Sequence, residues 1–352
     1  MVFLAKRLGR YTSVVLFGVS FLIVALWLQL LNFSPITFLV LAPFVLLAFA
    51  AAFALLVGIL FVRLPDGDGL EVSREMAPQL WRMWDELDPP TSGTRRLLIN
   101  ADLNASISER KRRFGLFGRV ATMSLGLELL ILLDRDMLRS VMAHEVGHAR
   151  CQHLTGGTNL AEFLETFETL YEYADPETTV VGSVADWALG SWLDRAQREL
   201  MRVSRENEFE ADRFAANICG AKVCADAEVL IATASEAIAE TVDKPLEKEL
   251  LGAVKAPKPP LQRVFERRAS IVSADTQTSF LQVAWDRELD ENASHPPFRA
   301  RFERVLPGVV AGAVAVGPSA ATTCMSSELF ETLYNGFCNL WVSSVEESFE
   351  VY

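Results

Sequence analysis

The chain has 352 residues, with 33 Lys and Arg against 45 Asp and Glu and a net charge of −12. That balance excludes nucleic acid as a general partner, because phosphate binding needs clustered cationic side chains. Mean hydropathy is nevertheless positive at +0.22, and the apolar excess is concentrated at the N-terminus.

Two uncharged apolar runs, residues 11–31 and 36–62, account for that excess. Each is long enough to cross a bilayer as a helix, which takes roughly 20 apolar residues. The short stretch Asn32-Phe33-Ser34-Pro35 between them allows only a tight hairpin, and Pro43 is tolerable as a kink. A cleaved signal peptide fits less well, since the first run exceeds a signal core and a second follows at once. Lys6, Arg7 and Arg10 precede the first run and Arg63 follows the second, so the positive-inside rule predicts everything after residue 63 in the cytoplasm. The expectation is an integral protein of a bacterial inner (cytoplasmic) membrane, with the lipid bilayer as partner of its hairpin.

Residues 63–69 read as an exit linker. The spacing of Met76, Leu80, Trp81, Trp84 and Leu87 predicts a helix over 70–87. Pro89-Pro90 and Ser92-Gly93 then break the chain. Alternation predicts one strand over 96–107 and another over 120–127, with the basic run Glu109 to Arg113 as a solvated turn between them. A helix is expected over 134–153, with Asp134 as its N-cap. Further helices are expected over 160–173, 192–218 and 225–242, and a proline-rich loop over 255–260. The apolar stretch 309–316 is too short to span a membrane and is expected in the core. Five cysteines (Cys151, Cys219, Cys224, Cys324, Cys338) with no CxxC pair read as core residues of a reducing compartment. The expected fold is α+β and mostly helical, with a small β-sheet behind a two-helix transmembrane hairpin. The expected organisation is an anchor over 1–63, a catalytic domain over 64–307, and an extension over 308–352 packed on that domain.

The chemistry gathers at His144-Glu145-Val146-Gly147-His148. On a helix, positions four apart differ by about 40° in azimuth, so the two imidazoles share one face and can grip one zinc ion. Glu145 is then placed to act on water at the metal. A catalytic zinc needs a third protein ligand. The helix around Ser204 to Asp212 offers Glu208 and Asp212, four apart on one face, one to bind metal and the other to accept a hydrogen bond from a ligand histidine. His153, nine residues beyond His144, falls about 180° round the helix and faces away. Cys151 and Leu154 stand where a metzincin needs Gly and His. The remaining histidine, His295, sits beside Pro296-Pro297, and a rigidly held imidazole suits an oxyanion. The stretch 100–108 is the candidate edge strand for docking a polypeptide substrate.

With these motifs, the chain resembles the gluzincin metallopeptidases of peptidase family M48, which include HtpX, the CAAX prenyl proteases and OMA-type proteases. The likeness covers roughly 70–307. It rests on His144 to His148, on Ser204-Arg205 leading into Glu208 and Asp212, on Asn104-Ala105, and on His295-Pro296-Pro297 with Arg301. It implies a zincin-like catalytic domain with one zinc held by His144, His148 and Glu208, with Glu145 catalytic and Asp212 behind the ligands. It places His295 near the active site and Asn104, Ala105 and Arg301 with the substrate. The implied activity is a membrane-anchored zinc metalloendopeptidase of protein quality control. The alternatives are a catalytically silent, chaperone-like binding module of the same fold and a zinc hydrolase acting on a non-peptide bond. Where HtpX has further spans between its metal motifs, residues 179–193 are short and carry Asp186.

Overall fold

The computed structural model describes residues 2–61, 69–90, 93–111, 119–155, 159–161, 163–164, 180–288 and 295–350. In chain order the helices and strands are α1 (Val2–Leu8), α2 (Thr12–Phe33), α3 (Pro35–Phe61), β1 (Leu70–Glu71), α4 (Pro78–Leu87), β2 (Thr94–Asn100), β3 (Ala105–Lys111), β4 (Arg119–Gly126), α5 (Leu127–Leu132) and α6 (Arg135–Thr155). There follow α7 (Val180–Cys219), α8 (Ala221–Ile238), α9 (Lys244–Leu250), α10 (Pro260–Ile271), α11 (Ala274–Asp286), α12 (Phe298–Val305), α13 (Ala320–Cys324) and α14 (Ser327–Glu350). The chain divides into two compact units, Met1–Pro65 with Gln152–Ser204, and Asp66–Cys151 with Arg205–Tyr352.

In the first unit, α2 and α3 form an antiparallel hairpin broken at Ser34, where Pro35 starts the second helix. Trp27 stacks on Phe38 with centroids 4.2 Å apart and donates its indole N–H to the Phe38 carbonyl. Phe17 packs on Phe49 and Phe53 at the other end. The outward faces stay apolar: Phe21, Leu22, Phe33, Ile36 and Phe44 are exposed. Among the described residues, Thr12–Phe33 is long and apolar enough to cross a membrane by length and composition. Lys6 pairs with Glu199 at 2.6 Å, and Asn159 donates to the Lys6 carbonyl.

The second unit is built on a mixed four-stranded sheet in the order β1-β2-β4-β3. Parallel β2 and β4 lie at its centre, and β3 runs antiparallel to β4 with Ala105 opposite Leu125. Central position explains why Leu97, Leu98 and Ile99 are all buried, where an edge strand would bury every second residue. Against the sheet pack Leu80 and Trp84 of α4, the apolar α5, and Leu138, Met142 and Val146 of α6. Leu329 and Leu333 of α14 complete the same core.

Several expectations are corrected here. The strand expected over 96–107 is two strands. Asn100 and Asp102 bond each other's side chains, and the Asn100 carbonyl oxygen of the side chain accepts the Asp102 N–H, turning the chain before β3. Residues 109–111 of the expected basic turn continue β3, while Arg112 and Arg113 lie outside the described residues. The helix expected over 70–87 starts only at Pro78, which sets its first turn, and Met76 is left exposed before it. The stretch 309–316 is irregular rather than a core segment. Val310 is 90% exposed, while Ala311, Val314 and Val316 pack inward. The linker residues 63–68 and, apart from 159–161 and 163–164, the helix expected over 160–173 lie outside the described residues.

Candidate metal centre

The helix that carries the motif has a defined start. Asp134 Oδ1 accepts the N–H groups of Asp136 and Met137 at 3.1 and 3.0 Å, satisfying donors that an uncapped helix leaves unpaired. Its Oδ2 accepts the Gly317 N–H, and the Ala320 N–H donates to the Leu133 carbonyl, so the segment after α12 is tied to the head of α6. From this cap α6 runs as one helix through His144, Glu145 and His148 to Thr155. The His153 side chain lies outside the described residues.

The residue between the histidines governs how close the next element comes. A Cβ at Gly147 would lie 2.8 Å from the Ala211 Cα, so only glycine lets α7 approach this near. Arg150 of α6 caps the contact, lying 4.8 Å over the Phe214 ring. This approach delivers Glu208 and Asp212 to the histidines. His144 Nε2 and His148 Nε2 are 2.9 Å apart. Glu208 Oε1 is 3.1 Å from His148 Nε2, and Oε2 is 3.4 Å from His144 Nε2. His144, His148 and Glu208 each offer one ligand atom, all within 4.8 Å of one another, and they could hold a metal ion.

The electrostatics fit such an ion. Asp212 Oδ1 accepts a hydrogen bond from His144 Nδ1 at 2.8 Å, so in the neutral ring the lone pair is on Nε2, facing the other two donors. Glu208 is 1% exposed, and its Oε2 has only long contacts, to His144 Nε2 at 3.4 Å and Arg301 Nη1 at 3.7 Å. Converging lone pairs in a buried place need a cation or protons between them. Burial and the Arg301 charge oppose a proton on His144, yet hydrogen bonds to Asp212 and Glu208 prevail and raise its pKa to about 10. Burial works against ionised Glu208, but hydrogen bonds from His144, His148 and His295 hold its carboxyl far below the usual range. Glu145 moves the other way, pushed up by burial.

Seven of the nine residues singled out from the sequence meet here. His295 Nδ1 lies 2.7 Å from Glu208 Oε1, with its ring 65% exposed. Arg301 of α12 is 12% exposed, and its guanidinium makes a two-pronged contact with Asp212, Nε to Oδ2 at 3.0 Å and Nη2 to Oδ1 at 2.6 Å. Asn104 and Ala105 are not in this cluster. They stand at the head of β3, where the Asn104 carbonyl accepts the Gly126 N–H. Among the described residues β3 pairs only with β4, leaving its other edge open.

Sequence reasoning missed one member, Glu228 of α8, whose Oε1 is 2.7 Å from Arg301 Nη2. The available signal was an acidic residue between the buried Ala227 and Val229.

The chain is similar to known proteins in two respects. The model of the family described as Peptidase family M48 matches residues 114–307, more than half of the chain, including both metal-site helices and the loop of His295. Among solved structures, the crystal structure of S. mikatae Ste24p matches at 13% sequence identity with a TM-score of 0.33, over 83% of this chain. The chain spans 63% of the length of that protein.

Proposed function

This chain belongs to peptidase family M48, and from that premise we propose that it is a membrane-anchored zinc metalloendopeptidase. The observation that carries the reading is the convergence of His144 Nε2, His148 Nε2 and the Glu208 carboxylate on one buried point. Two imidazoles and one carboxylate are a donor set that zinc takes in catalytic sites. When bound, zinc supplies Lewis-acid polarisation at the scissile carbonyl.

The chain's own groups do the rest. Glu145, with its carboxyl pushed up by burial, takes a proton from the attacking water and returns it to the leaving amine. Asp212 holds His144 at Nδ1 and so directs Nε2 to the metal. His295 gives its Nδ1–H to Glu208, which raises the ring's pKa; in the protonated ring the other nitrogen can donate to the oxyanion. The open edge of β3, beginning at Asn104 and Ala105, receives substrate as an added strand. Arg301 is engaged with carboxylates, so we assign it to the support of His144 rather than to substrate.

The apolar outer faces of α2 and α3 support anchoring in a bilayer. Lys6, Arg7, Arg10 and Arg63 support a catalytic domain on the cytoplasmic side of that bilayer. A peptidase held there would act on unfolded or membrane-embedded polypeptide, a quality-control role. Glu145→Gln tests the chemistry. The detergent-solubilised variant should bind zinc as wild type does and fail to cleave casein, whereas wild-type cleavage should stop with a chelator and return with zinc. Cleavage retained by Glu145→Gln would overturn the assignment.

A further inference from the structure

Glu228 is a part-buried carboxylate that the proposed reaction leaves unused. It projects from α8 onto Arg301, with Oε1 2.7 Å from Nη2. Arg301 in turn grips both oxygens of Asp212, and Asp212 holds His144 Nδ1 at 2.8 Å. The four side chains form one relay from α8 through α12 and α7 to α6, an ion pair from Glu228 to Arg301 followed by hydrogen bonds from Arg301 to Asp212 and from His144 to Asp212. All are largely screened from water, at 20, 12, 5 and 11% exposure for Glu228, Arg301, Asp212 and His144.

The charges explain why a fourth member is needed. A guanidinium bonded to one carboxylate alone would draw on Asp212 for all its compensation. It would weaken the hydrogen bond that Asp212 offers His144 and would set an unbalanced cation close to a divalent one. Arg301 Nη1 is 3.7 Å from Glu208 Oε2, so it reaches towards a metal-ligand candidate as well. A second carboxylate behind the guanidinium counters both effects and fixes its plane.

We propose that Glu228 is a positioning residue for the metal centre: by holding and neutralising Arg301 from behind, it keeps Asp212 locked on His144 and so presents His144 Nε2 to zinc. This rests on the zinc reading above. A purely structural Glu228 would tie α8 to α12 and leave the metal unaffected, so metal affinity separates the two roles.

The experiment titrates the full chain in detergent with zinc ions against a chromophoric chelator, and in parallel melts the metal-free protein. Glu228→Gln, close in shape and uncharged, is expected to weaken zinc binding by about tenfold, the low end for residues behind metal ligands. In an Asp212→Asn background the same substitution should add no further loss, because Glu228 acts through Asp212. An unchanged zinc constant in Glu228→Gln would overturn the proposal, and so would an equal extra loss in the Asp212→Asn background. Should Glu228→Gln not fold, Glu228→Asp takes its place: its shorter arm should also weaken zinc binding, by up to about tenfold, and a wild-type constant would overturn the proposal. Wild-type protein that binds no zinc would instead remove the reading beneath it, an outcome distinct from each of these.

Discussion

The contact between α6 and α7 should decide whether the metal centre forms. Replacing Gly147 by Ala puts a Cβ 2.8 Å from the Ala211 Cα and 3.2 Å from its Cβ and carbonyl oxygen. Carbon atoms settle at about 3.5–4.0 Å, and the nearest atom is backbone, so it cannot rotate aside. The helices must part by roughly 1 Å. In an isolated helix the change would stabilise by about 1 kcal/mol, whereas overpacking costs about 1–3 kcal/mol. The packing term wins, leaving a net loss of up to about 2 kcal/mol, or a fall in Tm of several degrees at about 2–4 °C per kcal/mol. The metal should suffer more. Ligand distances hold within about 0.2 Å, and His148 and Glu208 sit on the two helices being separated. Zinc affinity should fall at least about tenfold, measured by chelator competition beside a melt of the metal-free protein. Ala211→Gly should not restore it, because the closest clash is with the Cα. A raised Tm with an unchanged zinc constant would refute the close-approach reasoning.

Zinc binding should also carry a proton signature. In the metal-free protein the His144 pKa is raised from 6.5 to about 10, so the protonated ring stabilises that fold fully below 6.5 and ceases to do so as pH rises through about 10. Zinc competes for the same nitrogen, so binding near pH 7 should release about one proton, and affinity should climb up to about tenfold per pH unit between about 7 and 10. Calorimetry in buffers of different ionisation enthalpy counts that proton, and zero release would refute the assignment of His144. Away from the site, Gln277 is fully buried and clamps Val314, donating to its carbonyl at 3.0 Å and accepting its N–H at 2.8 Å. Gln277→Leu leaves both groups unpaired and should cost about 2–5 kcal/mol, seen as a lower Tm and faster proteolysis around residue 314; an unaltered Tm would show that water replaces the clamp.

What could be read from the sequence divides along the reach of each signal. The α6 cap at Asp134, the shared face of His144 and His148, and the pairing of Glu208 with Asp212 are all local. Each involves residues within one or two turns, and helix periodicity alone brings them together. The apolar hairpin is legible for the same reason, since length and absence of charge define it. The turn between β2 and β3 was also written locally, as Asn100, Asp102 and Asn104. It is hidden from a pattern reading because the alternation of Leu97, Ile99, Leu103 and Ile107 continues across it, and side-chain bonds that reverse a chain leave no mark on hydrophobic period. Glu228 and Arg301 are a different case. They are brought together only by the packing of α8 on α12; Glu228 alone reads as an ordinary charged residue on a helix, and Arg301 stands out only through the resemblance that includes His295-Pro296-Pro297. Burial is what changes their meaning. A guanidinium kept from water needs every carboxylate it can reach, so the arginine that the motif ties to substrate turns inward to Asp212 and Glu228. Spacing could nominate the metal's own contacts and Asp212 behind them, but Glu228, which pairs with Arg301 from another helix, is chosen by the fold.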